Sequence, residues 1–214
     1  MSRISTRFVI CNGELIPPGA ATVSVLGSTL YGAFGVYESI QLWNGVVFHL
    51  DDHLSRLLAS AAAIGLPLSG DLAAHRDWVH QLVQAEGGPL DATIRLFAVG
   101  PEADAPPRSF LWLEPLYPPS PQMIRDGVGA VCYSGERALP TVKSLNTLVN
   151  TLARQADIIT RFLQADMPAN VRTDLTARMK SLDGVLMDLK KVAALHREED
   201  RRDDAMPAES ELPP

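Results

Sequence analysis

Two basic residues carry the side chains whose chemistry is most specific in this sequence. Lys143 follows Val142 and precedes Ser144, where the pattern predicts a turn from a strand into a helix. A lysine amine attacks an aldehyde only when it is neutral, which burial or nearby positive charge favours. Arg56 lies in a predicted helix, and a guanidinium can donate two parallel hydrogen bonds to a phosphate. Together they could hold the two ends of one phosphorylated aldehyde.

Each candidate residue also has an ordinary interpretation. Lys143 could be an exposed loop lysine, and Arg56 could form a surface ion pair with Asp52, four residues earlier on the same helix face. Tyr37 lies on a predicted strand, where it could project into a pocket or simply pack. Arg95 lies inside another predicted strand, so its side chain faces either solvent or a site. The residue types alone leave these alternatives open.

Composition argues against several broad classes of function. The chain has 214 residues, 46% of them hydrophobic, and a formal net charge of -6, which favours a globular protein without a broad basic surface. Nucleic acid is therefore not an expected partner. No apolar run approaches the roughly 18 residues of a membrane span and no signal peptide is evident, so we expect a cytoplasmic protein without a membrane partner. The five histidines do not converge on a ligand set, and no metal site is expected.

Hydrophobic periodicity predicts mixed α+β structure with antiparallel pairing in the first two-thirds of the chain. Alternating or apolar runs indicate strands over 8–11, 21–26, 36–43, 46–50, 92–99, 109–113 and 127–133. Asn-Gly pairs predict a turn at 12–13 and a two-residue hairpin at 44–45. Helices are expected from an N-cap at Asp51 or Asp52 to Ile64, and over 72–86.

The last third of the chain is predicted to be helical. Ser144 can cap a helix from Leu145 to about Leu163, and Pro168 then breaks the chain. Further along, apolar residues alternate four and three apart and form a heptad seam: Leu175, Met179, Leu182, Leu186, Leu189 and Ala193. The final residues, 203–214, are acidic and contain proline, which predicts disorder.

Two blocks of residues, in fixed order, carry a family signature. The first block comprises Leu30-Tyr31-Gly32, Gly35-Val36-Tyr37-Glu38-Ser39-Ile40, Trp43-Asn44-Gly45 and Phe48-His49-Leu50-Asp51-Asp52-His53-Leu54-Ser55-Arg56-Leu57. The second comprises Val142-Lys143-Ser144-Leu145-Asn146 and Leu152-Ala153-Arg154-Gln155. The chain thereby closely resembles the class IV pyridoxal-phosphate aminotransferases, over roughly residues 8–157. That family includes branched-chain aminotransferases, D-amino-acid transaminases and aminodeoxychorismate lyases.

The resemblance implies an enzyme that uses pyridoxal 5'-phosphate. It would transfer an amino group from an amino acid, of the branched-chain or D-amino acid type, to a 2-oxo acid. Lys143 would bind the cofactor as a Schiff base and then move the substrate proton, and Arg56 would bind the cofactor phosphate. Tyr37 would line the substrate pocket, and Arg95 would contribute to substrate binding from a strand of the small domain. Family members are usually dimers, so a homodimer is expected.

The implied fold class is α+β, with a small domain like that of class IV transferases and an incomplete second domain that ends in helices. We expect five segments along the chain: a small α+β domain over 1–115, a proline-rich linker over 116–121, a partial cofactor domain with Lys143 over 122–170, a heptad-like helix over 171–202 and a disordered tail over 203–214.

The sequence departs from the family pattern after Asp157. Family members then carry a glutamate-glycine-serine stretch that marks a carboxylate for the pyridine nitrogen and a phosphate-binding loop, and residues 157–214 contain no such stretch. A transaminase with this sequence would be impaired or would need a partner to complete the site. Two other hypotheses stay open: aminodeoxychorismate lyase chemistry on the same scaffold, and a non-catalytic remnant that acts as an interaction module through residues 172–202.

Overall fold

The computed structural model describes residues 6–88, 90–102, 105–130, 139–164 and 168–204. Its elements, in chain order, are β1 (Val9–Cys11), β2 (Glu14–Ile16), a 3-10 turn (Pro18–Ala20), α1 (Ser28–Tyr31), β3 (Gly35–Trp43), β4 (Val46–Val47), α2 (Leu50–Ala63), α3 (Leu72–Glu86), β5 (Ala92–Val99), β6 (Arg108–Pro115), α4 (Pro121–Asp126), α5 (Leu148–Gln164) and α6 (Ala169–Asp204). Strands and helices thus occur in separate stretches, and the predicted α+β class is confirmed.

The six strands form one antiparallel sheet in the order β2-β1-β6-β5-β3-β4. The Asn-Gly pairs at 12–13 and 44–45 connect β1 to β2 and β3 to β4. All four of these residues have positive φ, which asparagine and glycine tolerate better than other residues do. The two predicted turns are confirmed, and so is the strand predicted over 92–99.

The long strand β3 carries the core on one face and a less buried surface on the other. Val36, Ile40 and Leu42 are fully buried, whereas the side chains that alternate with them along the strand at 37, 39, 41 and 43 are half-buried or exposed. Helices α2 and α3 pack against the buried face, mainly through Leu54, Leu57, Val79 and Leu82. Burying one such side chain contributes about 1.5–3 kcal/mol. This contribution fixes which face of β3 meets the helices.

Helix α3 begins and ends where its sequence predicts. The Asp71 carboxylate accepts a hydrogen bond from the third helical N–H at 2.9 Å, and Gly87 ends the helix with φ of 113°. Helix α2 corrects the prediction of an aspartate cap. Asp51 and Asp52 lie within its first turn, and its N-cap is His49 in the left-handed region, with φ of 47°. The two carboxylates still favour the helix start, because negative charge is stabilised at the N-terminal end of the helix dipole.

One predicted strand is absent and another is shorter than predicted. Residues 21–26 form no strand, although Val23 packs partly against the sheet while its neighbours are exposed. The chain turns at 25–26 and leaves Val25 exposed, so the alternating pattern does not correspond to one buried face. The strand predicted over 46–50 is only Val46–Val47, because Phe48 makes the last hydrogen bond to β3 before the chain enters α2.

The strand predicted over 127–133 is not formed in its described part. Residues 127–130 are irregular, and the remaining residues of this prediction lie outside the described part of the chain. The disordered tail predicted over 203–214 also lies outside it, except for Asp203 and Asp204, which end α6.

The described residues form two compact units. The first takes those of 1–128 together with 141–146 and contains the whole sheet and α1 to α4. The second takes those of 129–140 and 147–214 and contains α5 and α6, which pack on each other. The domain boundaries expected from the sequence stay a prediction. Although α6 has 36 residues, neither it nor another helix of the described ranges is apolar enough to cross a bilayer.

Candidate active site

A buried carboxylate lies at the centre of the candidate site. Glu38 is on the core face of β3, between Val36 and Ile40, and its side chain is 0% exposed. An ionised carboxylate in such surroundings is costly unless donors replace the water it has lost. Three side chains supply those donors.

Helix α2 supplies two of the three donors to Glu38. His53, Arg56 and Ser60 are three and four residues apart, so they share one face of the helix. Arg56 donates from Nε to Oε1 of Glu38 at 2.6 Å and from Nη2 to Oε2 at 2.8 Å. Nδ1 of His53 lies 2.9 Å from Oε2. The arginine pair is bidentate, which fixes the plane of the guanidinium.

The segment around Lys143 reaches the same place along the edge of β3. The N–H of Tyr37 donates to the carbonyl of Lys143 at 3.0 Å, and the N–H of Lys143 donates to Oγ of Ser60 at 3.2 Å. Val142, just before the lysine, is buried in the core. The backbone of Lys143 is therefore held by both β3 and α2.

Pairing with β3 also corrects the start of the helix predicted from Leu145. The N–H of Leu145 donates to the carbonyl of Gly35 at 2.9 Å, and Ser144 forms an antiparallel bridge with Val36. Residues 144 and 145 are therefore not helical, and α5 begins only at Leu148. The close approach depends on Gly35, because a Cβ there would lie 2.4 Å from a carbonyl oxygen of β5 and 2.6 Å from Cδ1 of Leu145.

The Lys143 side chain contacts residues from both faces of the sheet. Its Nζ donates to Oε2 of Glu38 at 3.1 Å and lies 5.2 Å from the centre of the Tyr37 ring. Glu38 and Tyr37 are consecutive residues of a strand, so their side chains point to opposite faces. The amine lies at the edge of β3, where it is close to both the Glu38 carboxylate and the Tyr37 ring. We call Glu38, His53, Arg56 and Lys143 the Glu38 cluster.

The electrostatics of the Glu38 cluster favour an ionised carboxylate with a positive rim. Burial alone would raise the pKa of Glu38, but the hydrogen bonds from Arg56, His53 and Lys143 outweigh it and lower the pKa to about 2. The hydrogen bond to Glu38 likewise raises the pKa of the Arg56 guanidinium. One carboxylate thus faces both an arginine and a lysine, and the cluster keeps a surplus of positive charge that suits an anion.

Both cations keep part of their surface open to solvent. Arg56 uses Nε and Nη2 for Glu38, its Nη1 bonds to no described residue, and its side chain is 50% exposed. The Lys143 side chain is 23% exposed. Nη2 of Arg56 and Nζ of Lys143 bind the same oxygen, so these nitrogens lie within about 6 Å of each other. A small molecule with an anionic group and a carbonyl can therefore meet both.

Arg95 lies away from the Glu38 cluster in its described contacts. Its guanidinium donates from Nε to Glu114 at 2.7 Å and from Nη1 to Oγ of Ser39. The strand register places Arg95 opposite Ser39, on the sheet face that also carries Tyr37. The structure thus brings Lys143, Arg56 and Tyr37 close to Glu38, whereas the substrate-binding role of Arg95 stays a prediction.

Sequence reasoning assigned no role to Glu38, His53 or Ser60. The signal for Glu38 was present, because period-two alternation in β3 places it on the face of three buried aliphatic residues: Val36, Ile40 and Leu42. A carboxylate at such a position needs partners. His53 and Ser60 could have been found as the neighbours of Arg56 on its helix face.

An open cavity of about 550 Å³ lies elsewhere in the first unit. Residues of β4, α2 and α3 line it, among them His49, Asp51, Arg76 and His80. None of its lining residues belongs to the Glu38 cluster, so this cavity is separate from the candidate site.

Comparisons with known proteins identify relatives of this chain. The family model described as amino-transferase class IV matches residues 35–162. A D-alanine aminotransferase of Bacillus licheniformis is 31% identical over 157 residues, which cover 69% of this chain and 54% of that protein. A protein of Methanocaldococcus jannaschii, assigned as a branched-chain-amino-acid aminotransferase, is 30% identical over 159 residues, 68% of this chain and 54% of its own length. The chain spans about half the length of the curated relatives it matches.

Among solved structures, the branched-chain aminotransferase of Thermoproteus uzoniensis with norvaline is similar over 53% of this chain and 42% of its own, with 30% identity and a TM-score of 0.48. The region matched by the family model contains Tyr37 and the whole Glu38 cluster. Because that match covers more than half of the sequence, the chain belongs to the class IV aminotransferases.

Proposed function

We propose that the Glu38 cluster binds pyridoxal 5'-phosphate, with Lys143 at its aldehyde and Arg56 at its phosphate. The observation that carries this proposal is the shared oxygen of Glu38, which holds the lysine amine and the half-exposed guanidinium side by side. The donor set fits the cofactor, because one small molecule presents an aldehyde to an amine and a dianion to a guanidinium. Membership of the class IV family supports the same assignment.

In this proposal each residue has a physical task. The cofactor, when bound, supplies an electron sink that stabilises negative charge on the substrate α-carbon. Nζ of Lys143 would take the proton from the substrate α-carbon and later return it, since β3 and α2 anchor the backbone of this residue. Arg56 would bind the phosphate through the exposed part of its guanidinium, which Glu38 does not use. Tyr37, with its ring 5.2 Å from the amine, forms one wall beside the reacting carbon.

The proposed reaction is transfer of an amino group from an amino acid to a 2-oxo acid. The names of the two relatives described above support a D-amino acid or a branched-chain amino acid as donor. Arg95 would take part only if a substrate carboxylate competes with Glu114 for its guanidinium. A homodimer remains part of the proposal.

The first test measures cofactor attachment. The purified chain, mixed with an excess of pyridoxal 5'-phosphate, should gain a visible absorption band at about 410–430 nm. Borohydride reduction followed by peptide mass spectrometry should then place the added mass on Lys143. The chain has only three other lysines, Lys180, Lys190 and Lys191, so the assignment is unambiguous.

Two variants give the matched comparison. Lys143→Ala should abolish the band, and Lys180→Ala, which alters an exposed lysine of α6, should leave it unchanged. A wild-type chain without a band, or with the added mass on another lysine, contradicts the proposal. Product analysis with D-alanine and with branched-chain amino acids then identifies the donor, and release of 4-aminobenzoate from aminodeoxychorismate would show lyase chemistry instead.

A further inference from the structure

We propose that Glu38 is a positioning residue, which fixes the amine of Lys143 and the guanidinium of Arg56 with one carboxylate and controls how readily the amine reacts. This inference rests on the proposed function, because it concerns the two residues that would hold the cofactor. It adds a residue whose contribution is electrostatic and which needs no contact with substrate.

Glu38 occupies a position that suits an aliphatic side chain. Its neighbours on the same face of β3 are fully buried aliphatic residues, and its cross-strand partner Leu96 is buried as well. An aliphatic side chain there would avoid the desolvation of a charge. A carboxylate at this position therefore has a consequence other than packing.

The geometry shows what that consequence is. Both oxygens of Glu38 are occupied: Oε1 by Arg56, and Oε2 by Arg56, His53 and Lys143, at 2.6 to 3.1 Å. The carboxylate binds Nε and Nη2 of the guanidinium and Nζ of the amine from the core side of β3. Their exposed sides remain available to a ligand. Without the carboxylate, the Arg56 guanidinium and the Lys143 amine would lose their shared acceptor and would repel each other across about 6 Å or less.

The same geometry affects how readily the amine reacts. Glu38 holds Nζ of Lys143 by a charge-assisted hydrogen bond at 3.1 Å, and Arg56 competes for the same oxygen, Oε2. The two residues therefore act on the amine with opposite signs. A purely structural role would act differently, because loosening the site by either substitution would expose Lys143 and speed its modification in both variants.

This difference gives a test that needs no cofactor. The full-length chain is treated at about pH 8 with a small acylating reagent that reacts with neutral amines, and peptide mass spectrometry compares Lys143 with Lys180 as internal reference. In Glu38→Gln the relative rate at Lys143 should rise at least about tenfold, because Nζ loses the charged acceptor that holds it. In Arg56→Gln it should fall at least about threefold, because Oε2 of Glu38 then binds Nζ without competition from the guanidinium.

A third variant separates charge from shape. Glu38→Asp keeps the negative charge and should return the Lys143 rate to within about threefold of wild type. Circular dichroism checks that the variants fold. If Glu38→Gln does not fold, Arg56→Gln alone tests the proposal, since a rate increase in that variant overturns it. Unchanged rates in both glutamine variants, or changes of the same sign, also overturn it. Failure of cofactor attachment in the wild type would reject the proposed function and leave these rates unaffected.

Discussion

Glu38 makes the stability of this protein depend on pH in the acidic range. Its pKa in the folded chain is about 2, against an ordinary value of 4.5. The folded state therefore binds this proton more weakly than the unfolded state does. Ionised Glu38 stabilises the fold fully above about pH 4.5, and the contribution is lost as the pH falls toward 2. The shift corresponds to about 3 kcal/mol near neutral pH, of which about 2 kcal/mol disappears between about pH 5 and pH 3.

Urea unfolding of the wild type and Glu38→Gln at a series of pH values isolates this contribution. Glutamine cannot titrate, so the difference in free energy of unfolding between the two proteins reports on Glu38. We expect that difference to fall by about 2 kcal/mol between about pH 5 and pH 3. Glu14→Gln, which alters an exposed glutamate of β2, is the matched control, and its difference from wild type should stay nearly constant.

Parallel stability curves for the wild type and Glu38→Gln would refute this reasoning. Glu38 would then have the same affinity for a proton in the folded and unfolded chains, and the three hydrogen bonds would not outweigh burial. A difference from wild type that changes more with pH in Glu14→Gln than in Glu38→Gln would have the same meaning, since it would locate the acid sensitivity at Glu14.

Three further outcomes are expected from the structure. Inorganic phosphate should slow the acylation of Lys143 in the wild type and leave it unchanged in Arg56→Gln, because a dianion on the guanidinium offers the nearby amine a second charged acceptor. The Lys180-referenced mass spectrometry described above measures this rate. Gly35→Ala should lower the free energy of unfolding by about 2 kcal/mol or more, because its Cβ would lie 2.4 Å from a carbonyl oxygen of β5. Gly19→Ala, which has open space around the added Cβ, should be neutral in the same denaturant titration. His75 is fully buried, and burial lowers its pKa, so the unfolded chain gains its proton at a higher pH than the folded chain does. Stability should thus fall by up to about 1.4 kcal/mol per pH unit below about pH 6.5, and His75→Gln, unlike the exposed-site control His80→Gln, should reduce that slope in urea unfolding.

The parts of the fold that were predictable have local causes. The Asn-Gly turns need only residues that accept positive φ, and α3 carries both of its end signals, Asp71 and Gly87, within its own sequence. Residues 21–26 show the limit of such reasoning. Ala21 and Val23 pack against the sheet without forming a strand, and the turn at 25–26 leaves Val25 exposed. Both outcomes depend on contacts with the rest of the chain.

The candidate site was predictable in its residue types but not in its connections. Lys143 and Arg56 could be selected by their chemistry and by family resemblance, since each lies in a recognisable block. Their common partner could not, because contact with Glu38 requires residues 142–145 to pair with the start of β3. That register joins positions about a hundred residues apart, and no local pattern specifies it.

A single turn of the backbone accounts for much of this arrangement. Phe48 makes the last hydrogen bond of the β4 side to β3, with Gln41, and His49 in the left-handed region directs the chain into α2. Beyond Gln41 the edge of β3 is therefore unoccupied toward its N-terminus, which is the edge that residues 142–145 take. The same turn lays α2 across the core face of β3, so that Arg56 meets Glu38. Because one turn both opens the strand edge and places the helix, the lysine and the arginine reach one carboxylate from separate parts of the sequence.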